Sequence, residues 1–262
     1  MEVIIQPTPD EAAHLAARVI AHEVRSRSNA VLGLATGRTM EAIYARLVEM
    51  HRNEGLSFAR CHTFNLDEFI GLPPDHPGSY RKVMTDRFFS HVDIPTDHIH
   101  FLNGQASDLT AECEAYEAAI RLCGGIHLQL LGIGRDGHIG FNEPLSALQS
   151  RTREKALTPA TRRQNAFLFG GRWEAVPPRA LTMGVGTILE SRRCLLVATG
   201  EEKAYILAQA VEGPITAWVT ASALQLHPRC TVIVDESAAE QLRGKDYYRW
   251  IFENEPEWAP FR

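Results

Sequence analysis

The stretch Leu130-Leu131-Gly132-Ile133-Gly134-Arg135-Asp136-Gly137-His138-Ile139-Gly140-Phe141-Asn142-Glu143-Pro144 decides the fold class. The mainly apolar run that leads into it, residues 126–131 with a polar break at Gln129, reads as a buried strand. That strand empties into a glycine-rich loop holding a histidine and two carboxylates. Open α/β sheets bind ligands just past the carboxyl ends of their strands. Glycines let the backbone approach a ligand, and the Asp136-x-His138 spacing lets a carboxylate orient an imidazole.

Outward from this loop, strands and helices alternate. Residues 1–6 are strand-like. Thr8-Pro9-Asp10-Glu11 then opens a helix, with Thr8 as N-cap, Pro9 at the first helical position and Glu11 closing a capping box. Leu15, Ala16, Val19 and Ile20 share one face of it. Short apolar runs at 30–35, 61–66, 194–198 and 230–234 are further strands, and 40–51, 79–89, 109–122, 201–211 and 237–243 read as helices. Strands separated by helices pair in parallel through right-handed crossovers. The expected architecture is an α/β three-layer sandwich with a mostly parallel, Rossmann-like open sheet and helices on both faces.

Composition limits what such a fold can do. The 262 residues are 45% hydrophobic, contain no linker-like run or repeat, and are read as one domain, 1–262. No stretch approaches the roughly 18–20 apolar residues of a membrane span. The first residues lack the basic and small-residue pattern of a secretory signal. Five cysteines, an odd number without a Cys-x-x-Cys, point to a reduced, cytoplasmic protein with no zinc knuckle. A net charge of −5 and no basic tract argue against nucleic acid. An anionic ligand would need a local cationic pocket.

The loops after four strands share one edge of a parallel sheet. Thr36-Gly37-Arg38-Thr39 offers amides at a helix start, a glycine and two hydroxyls, which suit a phosphate, although the Walker spacing is missing. Asp67-Glu68 stands where an acid could take a proton from a carbon beside a carbonyl. Lys203, in the first turn of its helix, opposes the helix dipole and is better placed to meet an anion.

These residues resemble glucosamine-6-phosphate deaminases. The resemblance lies in Phe64-Asn65-Leu66-Asp67-Glu68-Phe69-Ile70-Gly71-Leu72-Pro73, residues 132–144, Ser150-Arg151-Thr152-Arg153, residues 181–189, Lys203-Ala204 and Leu224-Gln225-Leu226-His227-Pro228, and runs from Met1 to about Asp235. It implies opening of the pyranose of glucosamine 6-phosphate, isomerisation to a ketose imine, and hydrolysis to fructose 6-phosphate and ammonia, with no metal and no organic cofactor. It assigns Asp67 as base for the C2 proton and His138 as acid–base residue for ring opening, flanked by Asp136 and Glu143, which favour its charged form. Thr36, Gly37, Thr39 and Lys203 match phosphate ligands. Glu68 and Gly134 join the expected substrate site.

The chain departs from that pattern in a lid, residues 157–180. Phe167 stands where the family brings an arginine onto the phosphate, and Arg38 stands where the phosphate loop often has glycine. The expectation is a swap, with Arg38 supplying the guanidinium and Arg162, Arg163 or Arg172 as rivals. Some members are hexamers activated by N-acetylglucosamine 6-phosphate between subunits. Ser146, Arg153 and Lys155 match that site, while the tail diverges, with Arg249 in place of a tyrosine beside Tyr247 and Tyr248. A homo-oligomer with this activator is therefore the expectation. The competing readings are a deaminase for galactosamine 6-phosphate, a non-catalytic sugar-phosphate sensor, and a sugar-lactone 6-phosphate hydrolase. A sensor needs no acid–base set, and a lactonase needs no carbon-acid base at Asp67.

Overall fold

In the computed structural model, which describes residues 1–27 and 29–262, strands and helices alternate from the first residues. β1 (Glu2–Gln6) leads into α1 (Pro9–Ser26). The hydroxyl of Thr8 accepts the Glu11 amide at 3.2 Å, and Pro9 takes the first turn, as the sequence predicts. β2 (Val31–Leu34), α2 (Arg38–Glu54), β3 (His62–Asn65), β4 (Asp67–Phe69), α3 (Tyr80–Arg87), β5 (Ile99–His100) and α4 (Leu109–Leu122) follow. The chain continues through β6 (Leu128–Leu131), β7 (Arg153–Ala156), α5 (Pro159–Asn165), β8 (Arg179–Thr182) and α6 (Val185–Leu189). It ends with β9 (Cys194–Ala198), α7 (Ala204–Val211), β10 (Cys230–Asp235) and α8 (Lys245–Asn254).

Seven strands form one sheet in the order β1-β10-β9-β6-β2-β3-β5, every pair parallel. β2, β6, β9 and β10 are buried at every position. That continuous burial, instead of alternation, is the pattern of a parallel sheet covered on both faces. Gln129, the polar break in β6, is fully buried and donates Nε2–H to the Leu130 carbonyl; its amide fills the space a side chain at Gly33 would take.

The strand order fixes where a ligand can bind. From β2 the chain moves outward to β3 and β5, and from β6 it moves the other way to β9 and β10. β2 and β6 are neighbours, so their following loops diverge and leave a crevice between them.

A second, antiparallel sheet, β4-β8-β7, stands outside the first, pairing Asp67 with Thr182 and Arg153 with Thr182. One large apolar cluster draws on residues from Val3 to Phe261. A smaller one, Phe69, Tyr80, Phe141, Leu157, Phe169, Val176 and Ala180, joins the second sheet to the 157–180 segment. The Tyr80 hydroxyl donates to Asn165 Oδ1 at 2.8 Å, tying α3 to α5 within that segment.

One expectation is corrected here. Residues 237–243 do not form a helix; residues 236–241 are successive turns, and the next helix begins at Lys245. Asp235 Oδ1 accepts the amides of Ala238 at 3.1 Å and of Gly200 at 2.9 Å. The Ala238 contact is that of a helix N-cap, but the amides of Glu240 and Leu242 then reach back only three residues, to the carbonyls of Ser237 at 3.3 Å and Ala239 at 3.0 Å, so the chain makes turns instead of continuing as a helix. Among the described residues no helix is long and apolar enough to cross a membrane.

Candidate active site

A cavity of about 580 Å³ opens at the divergence of β2 and β6. It is lined by residues 36–39 after β2, Asp67 after β3, residues 132–135 and His138 after β6, and Thr199, Glu202 and Lys203 after β9. Asn165 and Phe167 of the 157–180 segment close one side. The four strand-end loops singled out in the sequence therefore do share one crevice.

Its acid–base end is built around β4. Successive residues of a strand point to opposite faces, so the adjacent acids Asp67 and Glu68 part company. Asp67 faces the crevice, 6% exposed, with Oδ2 against Gly140. Among the described residues no donor satisfies its carboxylate. Burial, and secondarily the charge of Glu68, raise its pKa well above the ordinary carboxylate value.

Glu68 is placed otherwise: it does not line the crevice. It accepts the amides of Phe69, Tyr80 and Arg81 and the hydroxyl of Ser79, all at 2.8–3.1 Å, which pins the start of α3. Burial raises its pKa, and these four donors pull the other way. Glu68→Ala would leave three amides unpaired, each costing about 1–3 kcal/mol if it stays buried. The expected result in urea unfolding is a loss of roughly 3 kcal/mol or more. A variant as stable as the parent would show that α3 does not depend on this carboxylate.

His138 sits beside two carboxylates. Its Nδ1 is 2.6 Å from Asp136 Oδ1 and 3.8 Å from Glu143 Oε2. Asp136 Oδ1 also accepts the His138 amide at 3.2 Å. Burial would raise the Asp136 pKa, but the hydrogen bonds and charge of His138 outweigh it and hold this carboxyl at about 2. Glu143 is buried and accepts the Thr158 amide at 2.9 Å, so the histidine's outer carboxylate also anchors the N-cap of α5. Gly134 has a spatial reason: a Cβ there would overlap the His138 ring. The three donor atoms of Asp136, His138 and Glu143 lie within 4.8 Å of one another, close enough to hold a cation.

The other end of the crevice is cationic. Gly37 adopts φ 155° and ψ 164°, a region essentially restricted to glycine, and turns the chain into α2. The hydroxyl of Thr36 is buried without a partner, and that of Thr39 lies 3.4 Å from Thr199 Oγ1. Lys203 donates to the Ile133 carbonyl at 2.7 Å. Burial lowers its pKa; Arg135 and Arg38 lower it further, while Glu202 and Asp136 raise it. Three cations thus converge on one end. Arg135 was passed over in the sequence, although its place between Gly134 and Asp136 was the signal.

Arg38 stacks over the Phe167 ring at 5.6 Å, so the two residues that depart from the family pattern face each other across the crevice mouth. The rival arginines do not line the crevice. Arg162 donates to the carbonyls of Val176 and Glu174 and, like Arg163, packs over Trp173 at 5.0 Å. Arg172 is exposed. Arg153 is half-buried and donates to Asn142 Oδ1 at 2.9 Å, Lys155 shares its face of β7, and Ser146 is buried with its hydroxyl unpartnered.

Comparison with known proteins finds relatives over nearly the whole chain. Residues 7–231 match the model of the family described as glucosamine-6-phosphate isomerases/6-phosphogluconolactonase. A glucosamine-6-phosphate deaminase of Arthrobacter sp. (strain FB24) is 48% identical over 258 residues, 98% of this chain and 99% of the relative. That of Rhodococcus jostii is 46% identical over 261 residues and the full length of both. A solved structure described as a monomeric glucosamine-6-phosphate deaminase superposes with a TM-score of 0.90 at 45% identity, covering 92% of this chain and all of that one. A 6-phosphogluconolactonase from Trypanosoma brucei shares the fold, with a TM-score of 0.70 at 21% identity. With the family model matching residues 7–231 and relatives 46–48% identical over nearly the whole length, the chain belongs to the glucosamine-6-phosphate isomerase/6-phosphogluconolactonase family.

Proposed function

We propose that this protein converts glucosamine 6-phosphate to fructose 6-phosphate and ammonia, with Asp67, His138, Asp136 and Glu143 as the acid–base set. The observation that carries the assignment is Asp67: a buried carboxylate without hydrogen-bond donors among the described residues, facing the crevice that also holds His138. A desolvated, unpaired carboxylate is basic enough to take a proton from carbon.

The phosphate sits among the 36–39 amides and hydroxyls, Arg38 and Lys203. His138 takes the proton of the anomeric hydroxyl and returns one to the ring oxygen, which opens the pyranose to the aldehyde. Asp67 removes the C2 proton and delivers it to C1 while a proton passes from the amino nitrogen to O1, so the amino aldose becomes an imino ketose. Water adds to C2 of the imine and ammonia leaves. A lactonase would give Asp67 no proton to move. The test is ammonia release from glucosamine 6-phosphate, with galactosamine 6-phosphate and a 6-phosphogluconolactone as controls. Hydrolysis of the lactone without ammonia release would overturn the reading.

For the phosphate, Arg38 replaces the lid arginine. Arg38→Gly is expected to raise KM about ten- to a hundredfold, the effect of one charge-assisted contact of about 1.5–3 kcal/mol. Adding Phe167→Arg is expected to restore much of the loss; independent sites would instead give additive changes. Unchanged KM in Arg38→Gly would refute the exchange.

All five cysteines are free, which suits a reducing, cytoplasmic compartment. Activation by N-acetylglucosamine 6-phosphate would draw on Ser146, Arg153 and Lys155 where copies of the chain meet. Saturation curves with and without that sugar phosphate, run alongside a mass measurement in solution, test the activator and the oligomer together.

A further inference from the structure

At the margin of the main sheet, away from the crevice, two imidazoles and a thiol converge. His62 opens β3, His100 closes the edge strand β5, and Cys123 caps the end of α4. All three are half-buried, and none lines the crevice. One donor atom from each lies within 4.8 Å of the other two.

The spacing of the imidazoles is informative. His62 Nδ1 and His100 Nε2 are 3.4 Å apart, with ring planes inclined by only 16°. An ordinary N–H hydrogen bond spans about 2.7–3.2 Å. Two nitrogens bound to one tetrahedral zinc ion at about 2.0–2.1 Å stand about 3.3–3.4 Å apart. His62 is held in place by the His98 ring, stacked on it at 3.9 Å, and His98 itself is tethered to the Cys61 carbonyl at 3.1 Å. His100 is held by Phe64, stacked at 4.3 Å. The pair is thus fixed by packing, and the Cys123 sulfur, within 4.8 Å of both nitrogens, needs to move at most roughly 1 Å to reach a zinc–thiolate distance.

We propose that His62, His100 and Cys123 form a binding site for a zinc-class divalent cation, with water completing a tetrahedron on the exposed side. Two imidazoles and one thiolate are a borderline-soft set that suits zinc or cobalt over magnesium or calcium. On binding, the thiol proton is released to solvent and the ion links β3, β5 and the end of α4.

Cobalt(II) is the probe, added to the reduced, full-length protein. The expected result is one ion per chain, with the visible bands of a tetrahedral site and a near-ultraviolet thiolate-to-cobalt charge-transfer band, both lost when zinc is added. Cys123→Ser should abolish the charge-transfer band. His62→Asn and His100→Asn should each weaken cobalt binding at least about tenfold. Zinc should raise the Tm of the parent but not of the His62→Asn/Cys123→Ser double variant. These variants keep the parent kcat/KM, which shows that they fold. A charge-transfer band that survives Cys123→Ser, or its absence in the parent, overturns the proposal. So does cobalt binding that is lost only with His138→Gln, which would place the ion on the Asp136–His138–Glu143 group.

Discussion

Asp67→Asn is expected to lower kcat by about 10²- to 10⁴-fold, the usual contribution of a general base, while KM for glucosamine 6-phosphate stays near that of the parent. The amide keeps the shape of the carboxylate and leaves the phosphate pocket untouched. The same change is expected to raise stability. Burial and the neighbouring Glu68 raise the Asp67 pKa, so the fold favours the protonated acid and opposes its charge. The sign follows: wild-type stability contributed through this group is present below the ordinary carboxylate value and is lost as pH rises through the higher folded value. The Tm advantage of Asp67→Asn should therefore vanish at acid pH and grow towards neutrality. Active sites commonly hold such destabilising groups. Wild-type turnover in the variant would remove Asp67 from the mechanism. A Tm below that of the parent at neutral pH would contradict its desolvation.

The same shift sets a pH profile. Asp67 must be ionised to act as base, so kcat/KM should fall on the acid side at a pH above the ordinary carboxylate range. An acid limb at the ordinary value would show that the base is a solvated carboxylate elsewhere. Asp136, held at about 2 by His138, stays ionised throughout this range and adds no limb of its own.

The main sheet was legible because its strands are continuously buried, and continuous apolar runs such as 194–198 survive reading without context. The second sheet was not. β7 is Arg153-Glu154-Lys155-Ala156, a charged tetrapeptide that is a strand only because β8 pairs with it. The run 237–243 is rich in helix formers and still makes turns: after the Ala239 amide bonds the Asp235 carbonyl, the Glu240 and Leu242 amides reach back only three residues, to Ser237 and Ala239. In the site, the Asp136–His138 pair was readable from its spacing. The division of labour between Asp67 and Glu68 was not, since it depends on which face of β4 looks into the crevice. Arg38 and Phe167 are separated by well over a hundred residues, and their contact exists only once the 157–180 segment packs on Phe69 and Phe141. The His62–His100–Cys123 group is scattered in the same way and has no spacing that marks it.

His138→Gln should separate ring opening from isomerisation. Glutamine can donate or accept a hydrogen bond at the imidazole's place, but it cannot exchange a proton between the anomeric hydroxyl and the ring oxygen. Turnover of the cyclic sugar is expected to fall by about 10²- to 10⁴-fold. An analogue held in the open-chain form skips the step that needs His138, so its C2 proton should still exchange with solvent at close to the parent rate through Asp67. Asp136→Asn should reproduce part of the loss on the cyclic sugar, because the carboxylate 2.6 Å from Nδ1 orients the ring. Equal losses of His138→Gln on the cyclic and open-chain compounds would mean that the histidine acts after the ring has opened. Ring opening would then fall to solvent or to another group in the crevice, and the pairing of His138 with Asp136 and Glu143 would serve the later proton transfers instead.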